Sequence, residues 1–140
     1  MIRTLVVTTN KHIREVKAGV DMTRGAAAVI DYATEEAKLA SVGECFMVDV
    51  NKTYNGINAV VEPSDGAFEA IKAGQKVLLI PVLPGERYAT TEVDGANSLE
   101  IGADLKPENG KFKAGEGGWV YMGKYNDPTG LDMYIVERKA

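Results

Sequence analysis

The 140-residue chain has one cysteine and one histidine. Cys45 has no partner for an intrachain disulfide. A conventional zinc site needs three or four nitrogen and sulfur ligands, which one imidazole and one thiol do not supply. His12 would have to be the base of any serine or cysteine triad. It stands between Lys11 and Ile13 with no supporting motif, so a solvated or interface histidine is expected. No apolar run approaches the ~18 residues that cross a bilayer. Lysine and arginine do not exceed acid: the net charge is −4 and the pI about 5.1. Phosphate-backbone binding needs clustered positive charge, so neither nucleic acid nor membrane is an expected partner. The opening Met1-Ile2-Arg3-Thr4-Leu5-Val6-Val7-Thr8-Thr9 is too short for a signal-peptide core and lacks a small-residue cleavage site. A cytoplasmically made protein is the expectation.

What the chain does have is β grammar. Short apolar runs alternate with glycine-bearing turns at Pro84-Gly85, Asp94-Gly95, Asn109-Gly110 and Asp127-Pro128-Thr129-Gly130. Between them lie Lys76-Val77-Leu78-Leu79-Ile80, Trp119-Val120-Tyr121-Met122 and Met133-Tyr134-Ile135-Val136. Upstream, Leu5-Val6-Val7-Thr8 reads as an edge strand or an arm laid on a neighbour. Residues 27–32 and 45–50 read as strands. Asn55-Gly56 marks a hairpin, because a type I′ turn needs positive φ at both central positions; Ile57-Asn58-Ala59-Val60-Val61 would be its return strand, closed by Pro63-Ser64-Asp65-Gly66. The fold class expected is mainly β: a small antiparallel β-barrel or sandwich with one or two short helices, in one domain over residues 1–140. One helix is expected over residues 35–41, with Thr34 as cap, Glu35 and Glu36 in the first turn and Gly43 closing it. Residues 67–72 read as a further helical turn.

The run from Lys76 to Val82 is apolar on both sides. Val77 and Leu79 face one way; Leu78, Ile80 and Val82 face the other. Such a strand is either central to a core or shared with a second chain. Pro81 lacks an N–H, which suits an edge or bulge.

Catalytic and binding chemistry is thin. Carboxylates are dispersed, with no EF-hand spacing. Gly115-Glu116-Gly117-Gly118 is followed by a strand, whereas a phosphate cradle opens a helix. Cys45 reads as a buried strand thiol, with a reactive or metal-binding thiol as its rival. Phe112, Trp119, Tyr121 and Tyr125 interleave with Lys111, Lys113 and Lys124. A single-strand nucleic acid binder would stack bases on such rings, but Glu108, Glu116 and Asp127 dilute the charge, and core or interface packing is the better reading. No catalytic residue, metal or cofactor is expected.

From Ala70 onward the order of elements carries a resemblance. It runs from Ile71-Lys72-Ala73-Gly74-Gln75-Lys76-Val77-Leu78-Leu79-Ile80 through Leu83-Pro84-Gly85-Glu86-Arg87-Tyr88 and Leu99-Glu100-Ile101-Gly102-Ala103-Asp104-Leu105. Asn109-Gly110-Lys111-Phe112-Lys113 follows, then Trp119-Val120-Tyr121-Met122-Gly123-Lys124 and Met133-Tyr134-Ile135-Val136-Glu137. This pattern, covering about half of the chain, resembles the capsid decoration, or cement, proteins of tailed bacteriophages. The resemblance implies a non-enzymatic virion protein, often a homotrimer, that sits on the outside of the head and bridges major capsid protein subunits. Candidate subunit-interface residues are Leu5 and Val7 on the first strand, Val77 and Leu79 on the two-sided strand, and Trp119 and Tyr121. Two other readings stay open: another head or tail component, and a small-ligand or single-strand nucleic acid binding barrel with a groove lined by Trp119, Tyr121 and Lys113.

Overall fold

A computed structural model describes residues 1–8, 11–50 and 70–139. The chain is mainly β, as its turns and alternating runs require. Five strands close a barrel in the order β2-β5-β4-β6-β8: β2 (Arg14–Ala18), β4 (Ala27–Asp31), β5 (Glu36–Leu39), β6 (Phe46–Asp49) and β8 (Lys76–Pro81). An odd ring cannot alternate direction all the way round, so one neighbouring pair must run parallel. That pair is β2 with β5, where Lys17 faces Glu36 and Ala18 faces Ala37. A barrel this narrow has little room inside. Ala18, Ala26, Ala28 and Ala37 supply small side chains there, around Ile30, Val48, Val77 and Leu79. In the alanine-rich stretch before Val29, Ala26 and Ala28 thus belong to the barrel's interior cluster, while Ala27 belongs to the cluster facing the sheet.

Five further strands join β1 (Ile2–Val6) in a six-stranded antiparallel sheet: β9 (Arg87–Thr90), β10 (Asp104–Glu108), β11 (Lys111–Ala114), β12 (Trp119–Asn126) and β13 (Asp132–Arg138). Its order is β1-β9-β13-β12-β10-β11. The short strands β3 (Met22–Thr23) and β7 (Ala70–Ile71) pair with each other. One core cluster lies between sheet and barrel. Ala27, Met47 and Ile80 come from the barrel side; Ile2, Tyr88, Leu105, Phe112, Trp119, Tyr121 and Val136 come from the sheet. The two-sided strand β8 is thereby explained within one chain. Val77 and Leu79 fill the barrel, while Ile80 faces the sheet. Pro81 ends β8, so its missing N–H falls at a strand terminus.

Turn chemistry sets the registers. Asn109 and Gly110 have φ of 52° and 85°, and Glu108 pairs with Lys111 across them, the two-residue type I′ geometry. Leu83-Pro84-Gly85-Glu86 closes with Glu86 N–H on Leu83 C=O at 3.1 Å, with Gly85 at φ 88°. Proline then glycine at the two central positions is the type II pattern.

The helix expected over residues 35–41 is a strand. Residues 32–35 form a turn with Glu35 at φ 55°, and β5 runs from Glu36 to Leu39 between β4 and β2. A helix there would leave the barrel one stave short, so ring closure overrides the local helical preference of Glu-Glu-Ala-Lys-Leu. Among the described residues the helical element is a three-residue 3-10 turn, Ala96–Ser98. The expected helical turn over residues 67–72 gives way to strand β7 in its described part. The hairpin at Asn55-Gly56, its return strand and Pro63-Ser64-Asp65-Gly66 lie outside the described residues. β1 is a strand of its own chain's sheet, with Met1 and Ile2 buried, rather than a detached arm.

Candidate functional site

The chain crosses between sheet and barrel from β1 to β2 and again from β8 to β9. Both crossings meet at the carboxylate of Glu86, a residue only 3% exposed. Its oxygens accept from the Leu83 N–H at 2.7 Å, from the Thr8 N–H and from Lys11 Nζ at 2.6 Å. Lys11 Nζ also donates to Pro81 C=O at 2.7 Å and Tyr88 Oη at 2.9 Å. All three hydrogens of the ammonium thus have acceptors, which is what a buried lysine requires. Burial pulls the Lys11 ammonium down, but its bonds to Glu86 and Tyr88 outweigh this and the net direction is up. Burial likewise works to raise Glu86; the bonds from Leu83, Lys11 and Thr8 prevail, and its carboxyl lies below the usual range. Both shifts favour the charged pair, so the knot is an ion pair that holds two chain segments still.

Exposed apolar side chains stand along these crossings. Val6, 55% exposed, pairs with Arg87 next to Glu86, and Val7 follows it. Leu83 begins the β8–β9 turn, and Ile13 precedes β2; both are exposed. All four therefore lie on the two segments that the Lys11–Glu86 ion pair ties together.

Beside this surface runs a groove of about 600 Å³ between barrel and sheet. One wall is the barrel: Val29, Ile30 and the exposed Tyr32 at the tip of the β4–β5 turn. Asp31 accepts from the Ala33 N–H at 3.0 Å and shapes that turn, and the Arg14 guanidinium lies 5.9 Å from the Tyr32 ring. Pro81, at the end of barrel strand β8, lines the cavity as well, with Val82, Pro84, Cys45 and Phe46. Burial pushes the Cys45 thiol up to about 12 despite the nearby Arg138, so at neutral pH it stays protonated and a poor nucleophile. The polar lining residues are Glu44, which is exposed, and Arg138. The Arg138 guanidinium donates to Gly43 C=O and lies 6.0 Å from the Trp119 ring.

The six interface candidates separate into two groups. Leu5 is half-buried and Val7 exposed, both beside the crossing. Val77, Leu79, Trp119 and Tyr121 are 1%, 0%, 0% and 6% exposed and pack within the chain's own core. The Trp119 ring packs at a tilt of 59° on Phe112, centroids 4.7 Å apart, and donates Nε1–H to Gly43 C=O at 2.9 Å. Its ring and that of Tyr121 are therefore spent on packing, and the groove that the alternative small-ligand or nucleic acid reading would line with Trp119, Tyr121 and Lys113 has no free rings at those two positions. His12 is exposed. Among the described residues no group of three or more His, Cys, Asp and Glu is placed to hold a metal ion. Sequence reasoning missed Lys11, Glu86 and Tyr32. The turn around Glu86 was visible, but the segment it would grip was not. The chain matches no protein-family model, no curated protein and no solved structure.

Proposed function

We propose that this chain is a non-enzymatic capsid decoration protein, which binds the outside of a tailed-phage head and bridges major capsid protein subunits, itself assembling as a homotrimer. The resemblance over residues 71–137 supports this reading. The observation that carries it is the set of exposed apolar side chains Val6, Val7, Ile13 and Leu83 on the two crossings that the Lys11–Glu86 ion pair ties together. Adhesion costs less when the contact surface is already ordered. On a lattice, modest contacts repeated over many copies sum to a large stabilisation of the shell. The Leu83→Asp variant should keep its thermal midpoint, since the side chain is exposed, and should lose about tenfold or more in pelleting with mature capsids. The wild type should sediment as a trimer and pellet with the shell. A monomer that pellets with no tailed-phage head would end the reading.

A further inference from the structure

We propose that Asn109 is a self-modifying residue, whose conversion to aspartate or isoaspartate is gated by the barrel's grip on Gly110. Glycine is the neighbour that obstructs this chemistry least, because no Cβ shields its amide nitrogen. Asn109 itself is exposed, so water reaches its side chain. The Gly110 nitrogen gives up its proton and attacks Asn109 Cγ. The new C–N bond closes a succinimide ring, and the side-chain nitrogen leaves as ammonia. Water then opens the ring at one carbonyl or the other: at Cγ it leaves aspartate, at the backbone carbonyl isoaspartate. Water is the one co-reactant.

The fold withholds the nucleophile. The Gly110 N–H donates to Ala40 C=O at 2.9 Å, and its C=O accepts from the Ala27 N–H at 2.8 Å. The Asn109 N–H donates to Ser41 Oγ at 3.0 Å. Gly110 is buried against the Leu39 side chain. Its nitrogen must leave Ala40, and the peptide plane must turn, before it can meet Cγ. The reacting state is therefore one in which the β10–β11 turn has lifted off the barrel. That motion breaks the bonds to Ala27, Ala40 and Ser41 and leaves the pairing of β10 with β11 in place. It is a local opening, less costly than unfolding. The isoaspartate branch is also one-way. Asp-Gly suits a type I′ turn as Asn-Gly does. Isoaspartate carries the main chain through the side chain and adds a backbone carbon, so the two-residue turn cannot reseat.

The test is mass-spectrometric peptide mapping of an Asn55→Gln chain, which lacks the other Asn-Gly pair, held at mildly alkaline pH. Asn109 should convert at least about tenfold faster in fully denaturing urea than in buffer. Below the unfolding transition its rate should stay flat as urea rises, because a local opening exposes little surface. Ser41→Ala should speed conversion in buffer about fivefold and leave the rate in denaturing urea unchanged. Equal rates in buffer and in urea, a rate that climbs with the unfolding curve, or no effect of Ser41→Ala would overturn the gate. Converted chain returned to buffer should melt below unconverted chain, and Asn109→Asp should melt with the unconverted one. An Asn109→Asp chain as destabilised as the converted one would overturn the one-way branch and put the damage down to charge.

Discussion

Glu86 is a single carboxylate on which two chain crossings depend. Removing it leaves the Lys11 ammonium buried without its counter-ion, a situation that typically costs 3–5 kcal/mol. Glu86→Ala is expected to lower unfolding stability by about 3 kcal/mol in urea titration. Lys72→Gln, which breaks an exposed pair with Asp21 at 3.8 Å, should change it by no more than about 0.5 kcal/mol. Asp127 gives the acid limb. The Arg3 guanidinium, 2.8 Å away, first of all, then Thr129 through its hydroxyl and N–H, hold its carboxyl at about 2 against burial. A carboxyl depressed on folding adds stability above its unfolded pKa and loses it as pH falls through the folded one. Stability should therefore drop between about pH 4 and pH 2. Asp127→Asn should flatten that drop, as read by circular dichroism at stepped pH. An unchanged acid limb in the variant would assign the loss to other carboxylates, Glu86 foremost.

At the level of strands, the two ends of the six-stranded sheet are guarded differently. Edge strand β11 is already partly paired: the Phe112 N–H donates to Glu92 C=O at 2.9 Å and the Phe112 C=O accepts from the Asp94 N–H at 2.8 Å, which leaves less of that edge for a further strand. Edge strand β1 has a register shift between Thr4 and Val6, and the Thr8 N–H beyond it is held by Glu86. A bulge re-aims an edge and interrupts pairing. The β10–β11 hairpin rests on Gly110, whose φ of 85° no L side chain adopts readily. An added Cβ would stand 2.6 Å from Leu39 of the barrel. Gly110→Ala should cost about 2 kcal/mol by thermal unfolding, more than the usual glycine-to-alanine penalty at positive φ because Leu39 must also move. Such turns were readable in the sequence because their chemistry is local: Asn109-Gly110 and Pro84-Gly85 each dictate a backbone shape by themselves. β5 was misread for the opposite reason. Its residues favour a helix locally, and only ring closure, with β4 as its hairpin partner and β2 as its parallel neighbour, makes them a stave. The Glu86 ion pair and the groove were the least readable parts. Glu86 draws its partners from residues 8, 11 and 83, and Tyr32 gains its groove from Pro81 and Pro84; no spacing rule links these positions. Val77, Leu79, Trp119 and Tyr121 were singled out because large apolar side chains look the same whether they meet a second chain or their own core.

The molecule as a whole is a barrel and a sheet sharing one packed layer. Met47 and Ile80 from one side and Trp119 and Val136 from the other belong to a single cluster. Neither body can lose its fold without exposing the other's inner face, so both are expected to unfold together. Trp119 fluorescence and far-ultraviolet circular dichroism should give superimposable urea curves. Separate midpoints would mean that the barrel stands without the sheet. The pairing of β1 with β9 carries a consequence for synthesis. Ile2 meets Thr90, so β1 waits for a partner translated 88 residues later. At about 5–20 residues per second, that strand goes unmatched for on the order of ten seconds in every nascent copy, the interval in which chaperones would have most to protect.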